Sequence, residues 1–246
     1  MLRDRVYVNM ATIPQRIESL KMVISSIYGQ TDELNVYLNG FDDIPEFLKR
    51  PGINIARSQD YGDKGDAGKF FWSDKVNGYY LTIDDDILYP RGYVSKIIEG
   101  IDSRNKEVPV GMHGEIFKNQ INHWTRDRLG TYHFAMEVKK DAPACVIGTG
   151  CMGYHTEGVS VKPEDFRIPN MADVWFTRIC VEQRKPRIVL SHPQGWLKII
   201  PIPHNDTLWG KTVNEELQNP NGVSKEVREI QPCLPWEYLY DPLEKR

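Results

Sequence analysis

Along this 246-residue chain the hydrophobic period changes several times, and each change marks an element. Residues 5–11 alternate, with Val6 and Val8 on one face, which predicts a first strand. Thr12-Ile-Pro-Gln-Arg16 breaks that alternation, and Pro14 suits the first turn of a helix. Ile17, Leu20, Ile24 and Ile27 then recur at helical spacing, so an amphipathic helix is expected to about Tyr28. Residues 34–38 predict a second strand, stopped by the turn pair Asn39-Gly40, and residues 53–56 a third. Residues 79–83 are apolar or β-branched throughout and predict a buried fourth strand, running straight into Asp84-Asp85-Asp86.

Further on, Val94, Ile97, Ile98 and Ile101 give a helix over 93–101. Residues 108–112 read as a strand with its exit at His113, and residues 145–155 as a strand whose glycines at 148, 150 and 153 imply a bulge or close backbone approach. A helix opens within 168–176 and runs to about Arg184, and residues 187–190 form the next strand. Residues 119–143 are polar, aromatic and weakly periodic, and receive no assignment. After Pro193, six prolines and three tryptophans predict an irregular segment that wraps the domain or covers the site. Strands alternating with helices predict an α/β fold, a mostly parallel central sheet flanked by helices with right-handed crossovers. The expected division is a catalytic domain over 1–192 and a lid or docking extension over 193–246.

Composition narrows the function. Thirty-one Lys and Arg face 34 Asp and Glu, so no basic surplus points to nucleic acid. No apolar run approaches the ~20 residues of a membrane span, and the N-terminus lacks a signal-peptide pattern. Cys145, Cys151, Cys180 and Cys233 lie scattered, without CxxC or zinc-finger spacing, and read as reduced, structural thiols of a cytoplasmic protein.

The candidate chemistry centres on the acidic triplet. Asp is a poor strand former and costly to bury unpaired, so three in a row at a strand end must face water or a cation. Strand alternation would aim Asp84 and Asp86 one way and Asp85 the other. Hard carboxylate oxygens of this kind suit Mn²⁺ or Mg²⁺. Just before that strand, glycines 62, 65 and 68 with Lys64 and Lys69 form a loop able to approach an anion closely, although the P-loop order is absent.

Taken together, these residues resemble the GT-A fold (Rossmann-like) glycosyltransferases, especially the family 2-like bacterial enzymes of capsule and lipopolysaccharide synthesis. Thr82-Ile-Asp-Asp-Asp-Ile-Leu-Tyr-Pro90 looks like the family's DxD motif with its strand and proline. Thr12-x-Pro14-x-Arg16 resembles the turn that cradles the nucleotide base and diphosphate, and Asp66-Ala-Gly-Lys69 the segment preceding the DxD strand. Gly148-Thr-Gly-Cys-Met-Gly153 resembles the strand bordering the acceptor. Asn170-Met-Ala-Asp-Val-Trp175 is similar to the acidic helix start that carries the base; where many members have Glu-Asp, this chain has Ala172-Asp173.

The resemblance implies transfer of a hexosyl or N-acetylhexosaminyl group from a nucleoside diphosphate, by default UDP, to a saccharide acceptor. It assigns Asp86 to direct metal contact, Asp84 to the ribose hydroxyls or a shared cation, Asp85 to water-mediated contact, and Asp173 to an inverting displacement as base. His204 is the favoured third metal ligand over His192. Asn39 and Asp60, near strand ends, are candidates for the nucleotide base, although turn chemistry alone explains Asn39-Gly40. Trp124, His155 and Trp175 are candidates to stack on sugar rings, and Cys151 is read as packing. Peripheral association with membrane-bound synthesis machinery, at the cytoplasmic face of the inner membrane, would fit such a role. Asp173 is equally explained as a helix-start carboxylate complementing the dipole. Two other functions compete: a nucleotidyltransferase, disfavoured by the lack of glycine in residues 12–16, and a carbohydrate- or metal-binding module without turnover.

Overall fold

The computed structural model describes residues 4–203, 207–219 and 222–245. The first half comprises β1 (Arg5–Thr12), α1 (Ile17–Ile27), β2 (Glu33–Leu38), β3 (Ile53–Arg57), the single turn α2 (Ser58–Tyr61) and β4 (Gly78–Ile83). There follow β5 (Ile87–Leu88), α3 (Tyr93–Asp102), β6 (Val110–Gly111), β7 (Gly114–Phe117), β8 (Arg128–Tyr132), β9 (Ala142–Pro143), β10 (Val146–Ile147) and β11 (Cys151–His155). The chain continues through α4 (Ala172–Glu182), β12 (Ile188–Val189), β13 (Lys198–Ile199), α5 (Leu208–Gln218) and α6 (Lys225–Ile230).

Eight strands form one sheet in the order β3-β2-β1-β4-β11-β6-β12-β9. β3, β2, β1 and β4 run parallel. β11 is antiparallel to β4 and β6, β12 is parallel to β6, and β9 closes the far edge antiparallel. The α/β fold is therefore as expected, and the sheet is mixed but mostly parallel, with only β11 and β9 running against the other six strands. Separately, β10, β7 and β8 build a small antiparallel sheet, and β13 pairs with β5.

All six residues of β4 are buried, as an unbroken apolar run requires of a strand covered on both faces. Tyr79, Leu81 and Ile83 pack with Leu20 and Ile24 of α1 and Ile97 and Ile101 of α3. Tyr80 points the other way, among Phe70, Tyr154 and Phe176 of α4. Each such side chain contributes about 1.5–3 kcal/mol by leaving water. An asparagine ladder crosses the parallel run: Asn54 donates to Asn35 Oδ1 (2.9 Å), Asn35 to Asn9 Oδ1 (2.7 Å) and Asn9 to the Leu81 carbonyl (3.0 Å). Buried amides can stand there because each finds a partner.

Three expectations change. The acidic triplet leaves the sheet at Ile83 and turns, so strand alternation does not govern where its side chains point. The expected strand over 145–155 is split by Gly148-Thr149-Gly150 into β10 and β11, which join different sheets. The C-terminal segment is not irregular: it carries α5 and α6, each started by a hydroxyl cap, Thr207 Oγ1 accepting from the Gly210 amide (2.9 Å) and Ser224 Oγ from that of Val227 (3.3 Å). Its prolines fall outside the spans of α5 and α6, before the first and after the second for the most part, which is why composition hid the helices.

That segment is fastened to the body. Val227, Ile230 and Cys233 pack with Phe117, Trp124 and Trp175. Arg104, 2 % exposed, donates Nε to Asp241 Oδ1 (3.0 Å) and Nη2 to Asp141 Oδ2 (2.9 Å) and to Asp241. All four cysteines are buried and free. Among the described residues, no helix is long and apolar enough to cross a membrane. Arg104→Met strands the Asp241 carboxylate in the interior, so chemical denaturation should show a loss of about 3–5 kcal/mol; an unchanged midpoint would show the anchor to be dispensable.

Candidate functional site

In this sheet the strand order reverses between β1 and β4. At such a switch point the chain segments leaving the two carboxyl ends diverge, and a crevice opens between them. Thr12 ends β1, Asn39 follows β2, Asp84 follows β4, and His113 lies two residues past β6, which has the same direction. β11, running opposite, brings Thr149 and Gly150 to that edge at its amino end. The result is a cleft of about 790 Å³, walled on its far side by the β7–β8 hairpin and the start of α5.

The triplet forms the cleft floor, and each of its carboxylates meets a different neighbour. Thr12 Oγ1 donates to Asp85 Oδ2 at 2.6 Å. Arg16 Nη1 lies 3.7 Å from Asp86 Oδ2. The buried Lys69 ammonium donates to Asp84 Oδ1. The Asp84 amide donates to the Gly150 carbonyl (3.1 Å), and a Cβ on Gly150 would run into the Asp84 carboxylate, so this approach requires glycine. Partial burial, then repulsion from Asp84, pushes Asp85 up to about 6; burial, Asp84 and Asp85 push Asp86 up to about 7. For Lys69 burial pulls the other way, but Asp84 and Asp66 outweigh it and hold the ammonium above the usual lysine range.

Asp173, in the first turn of α4, faces the same cleft. Its Oδ1 accepts from both the amide (2.7 Å) and the hydroxyl (2.6 Å) of Thr149, which fixes the carboxylate. Burial raises its pKa despite those two bonds. Asp66 also lines the cleft but acts as a tie: its Oδ2 accepts from the Ala172 amide (3.0 Å), capping α4 from across the chain, and burial pushes it up to about 6. Asn39 holds the glycine loop, donating to the Gly65 carbonyl (2.9 Å) and accepting from the Lys64 amide (3.2 Å). Gly65 itself sits at φ +54, with Asn170 where a Cβ would be.

Thr12, Arg16, Asn39, Asp66, Lys69, the triplet and Asp173 thus converge on one cleft. Other candidates do not. Asp60 is exposed on α2 and pairs with Arg57 (3.4 Å), and Pro14 starts a helical turn without lining the cleft. Turn chemistry accounts for both. His192 is buried, with Nε2 3.1 Å from the Met112 carbonyl, and does not line the cleft; His204 lies outside the described residues. Trp124 lines the cleft, whereas His155 and Trp175 are buried elsewhere. Cys151 borders the cleft, but burial drives its thiol pKa up, which suits packing.

Sequence reasoning missed the far wall. His113 is held neutral by burial, then by His133 and Arg128, with its pKa lowered to about 3. The Ala135 amide donates to His133 Nδ1 (3.1 Å), which leaves the hydrogen on Nε2 when the ring is neutral. Arg128 pairs with Glu115 and lies 4.4 Å from the centre of the Trp209 ring. The one signal available was position: His113 follows a strand parallel to β4 and so exits at the same edge.

Among the described residues, no group of three His, Cys, Asp or Glu is placed to hold a metal ion. Mn²⁺ or Mg²⁺ needs fewer, since one or two carboxylates suffice when phosphate and water fill the remaining positions. Asp86, with Asp85 beside it, fits that role: hard oxygen donors whose proton affinity is raised by burial and then by like charge. Asp84 fits less well, being engaged by Lys69 where ribose hydroxyls or a shared cation were expected.

No protein-family model matches the chain, and comparison with curated proteins yields no match. Among solved structures the chain is similar to A197 from STIV, at 12 % identity and a TM-score of 0.32, over 70 % of this chain and 86 % of that one. A likeness so slight carries no functional argument.

The raised carboxylates have a consequence for stability. Asp86 binds its proton more tightly in the folded than in the unfolded state, so the fold gains most below about pH 4 and loses that gain as pH rises to about 7. Asp86→Asn should therefore raise the melting temperature at pH 8 and leave it nearly unchanged at pH 4. Equal effects at the two pH values would show that Asp86 carries no unfavourable charge.

Proposed function

We propose that this protein is a cation-dependent glycosyltransferase of the GT-A type, moving a sugar from a nucleoside diphosphate, with UDP the default carrier, to a saccharide acceptor. The observation that carries the reading is the convergence of the Asp84–Asp86 triplet and Asp173 on one cleft at the switch point of the sheet. A bare acidic strand exit would not need a conformationally fixed second carboxylate beside it. The turn over residues 12–16 has no glycine, which weighs against a nucleotidyltransferase.

Asp86, with Asp85 beside it, would hold a divalent ion, which would supply Lewis-acid stabilisation of a leaving diphosphate. The remaining work falls to the chain. Arg16 and Lys69 place positive charge along the floor, offsetting the phosphates that the carboxylates would repel. Asn39 and the glycine loop shape the pocket beside Thr12. Asp173 accepts the proton of the attacking hydroxyl: Thr149 fixes its orientation, and its raised pKa brings its proton affinity nearer the working pH. Inversion of the anomeric centre is what the resemblance to the family implies for a base in that position. The acceptor then lies against His113, His133, Trp124 and Trp209, aromatic groups suited to sugar rings, and bacterial surface polysaccharide synthesis at the cytoplasmic face of the membrane is the setting in which such a reaction belongs.

Two measurements test this. UDP-sugars with Mn²⁺ should raise the melting temperature in a concentration-dependent way, and Asp86→Ala should abolish the shift; binding of free glycan without any affinity for nucleotide would make the protein a binding module instead. Asp173→Asn should lower kcat by roughly 10²–10⁴-fold while nucleotide affinity is kept. Full turnover in that variant would remove Asp173 as the base.

A further inference from the structure

The far wall of the main cleft carries more than one attacking hydroxyl needs. Glu115 of β7 is buried, and its Oε1 accepts from Arg128 Nη1 across the hairpin. Neither Arg128 Nε and Nη2 nor Glu115 Oε2 has a hydrogen-bond partner among the described residues, and none of the three is sealed from solvent. The Arg128 guanidinium lies 4.4 Å from the centre of the Trp209 ring, which stands in the first turn of α5. Trp209 also lines the cleft and is 37 % exposed, whereas Trp124 in the same wall is 6 % exposed. Every other tryptophan of the chain joins an apolar cluster, and Trp209 joins none. Its helix is nevertheless fixed. The buried Glu216 carboxylate of α5 accepts from the Trp124 amide (2.6 Å) and from the amide (3.1 Å) and hydroxyl of Thr125. A half-exposed indole on an anchored helix is a platform for a flat apolar face.

We propose that Trp209 and the Arg128–Glu115 pair form a subsite for a second sugar of the acceptor, which is therefore an uncharged oligosaccharide of at least two units. The subsite rests on the transferase reading of the main cleft. Asp173 takes the hydroxyl of the first unit. Glu115 is close enough to feel the Asp173 charge, and contacts then run through Arg128 to Trp209 at the mouth. The ion pair thus separates base from platform, and a ring at Asp173 leaves Trp209 to the next one. Charge decides the class of ligand. Glu115 cancels Arg128, so the pair offers donors and an acceptor side by side, which suits neighbouring hydroxyls and gives a carboxylate or phosphate no net attraction. Lys211, exposed on the rim, adds only a solvent-screened charge.

The test presents the fluorescently labelled full chain to an array of defined glycans, then titrates the best-retained glycan by calorimetry. Neutral glycans of two or more units should be retained above every monosaccharide and above sialylated or phosphorylated forms. Trp209→Ala, at an exposed side chain, should weaken the titrated glycan roughly tenfold, and Arg128→Lys, which keeps the charge and loses the fork, should weaken it too. Monosaccharides held as strongly as oligosaccharides, a preference for charged glycans, no retention at all, or equal affinity in Trp209→Ala would overturn the subsite. UDP-sugar with Mn²⁺ should still raise the melting temperature of Trp209→Ala; loss of that shift would put Trp209 in the donor site instead. A chain that holds neutral oligosaccharides through Trp209 without any affinity for nucleotide would lose the transferase reading and keep the subsite.

Discussion

Three consecutive carboxylates can share one floor only if positive charge and hydrogen-bond donors close around them, and the rest of the cleft is arranged to that end. Thr12 comes from β1, Arg16 from the turn before α1 and Lys69 from the loop before β4, while the Gly150 carbonyl, from the segment between β10 and β11, accepts from the Asp84 amide and fixes the backbone there. Four separate parts of the chain therefore meet at one point. Burial, followed by the like charges of their neighbours, still leaves Asp85 and Asp86 with pKa values raised to about 6 and 7.

The sheet makes this meeting possible. Buried strands of the parallel run bring their carboxyl ends to one edge, and the asparagine ladder ties β3, β2, β1 and β4 through polar groups that tolerate burial because they satisfy one another. The antiparallel β11 then reverses direction next to β4, so that Thr149 and Gly150 arrive from the opposite end. That reversal lets Thr149 hold Asp173 through two bonds in the same cleft as the triplet, with the adjacent Gly150 bonded to Asp84. Asp66 adds a brace, capping α4 from the glycine loop, and so couples the two sides of the cleft mechanically.

α4 carries Asp173 into the cleft at its start. Val174 and Trp175 of the same helix pack against Val227, Ile230 and Cys233, in the segment that Arg104 pins through Asp241 just beyond the end of α3. The C-terminal segment thus steadies the helix from behind while α5 reaches over the cleft mouth with Leu208, Trp209 and Lys211.

Read alone, the chain's periodicity was enough for β1 to β4, α1, α3 and α4, because each buries a face whose repeat of two or 3.6 is written in side chains of the same element. It also placed the triplet at a strand end and put Lys69 in the glycine loop before it, whereas Asp173, Arg16 and Asp66 were named by the resemblance to GT-A glycosyltransferases and Asn39 by its place at a strand end. What it could not decide depends on partners far away in the chain. Asp60 and Asn39 look alike as strand-end polar residues, yet only Asn39 faces the cleft, because only β2 neighbours the switch point. β8 was hidden because its exposed residues lack a buried face to impose a period, and α5 and α6 because proline flanking a helix reads the same as proline in a loop. Local pattern fixes elements; the order in which strands pair decides which of their ends share a site.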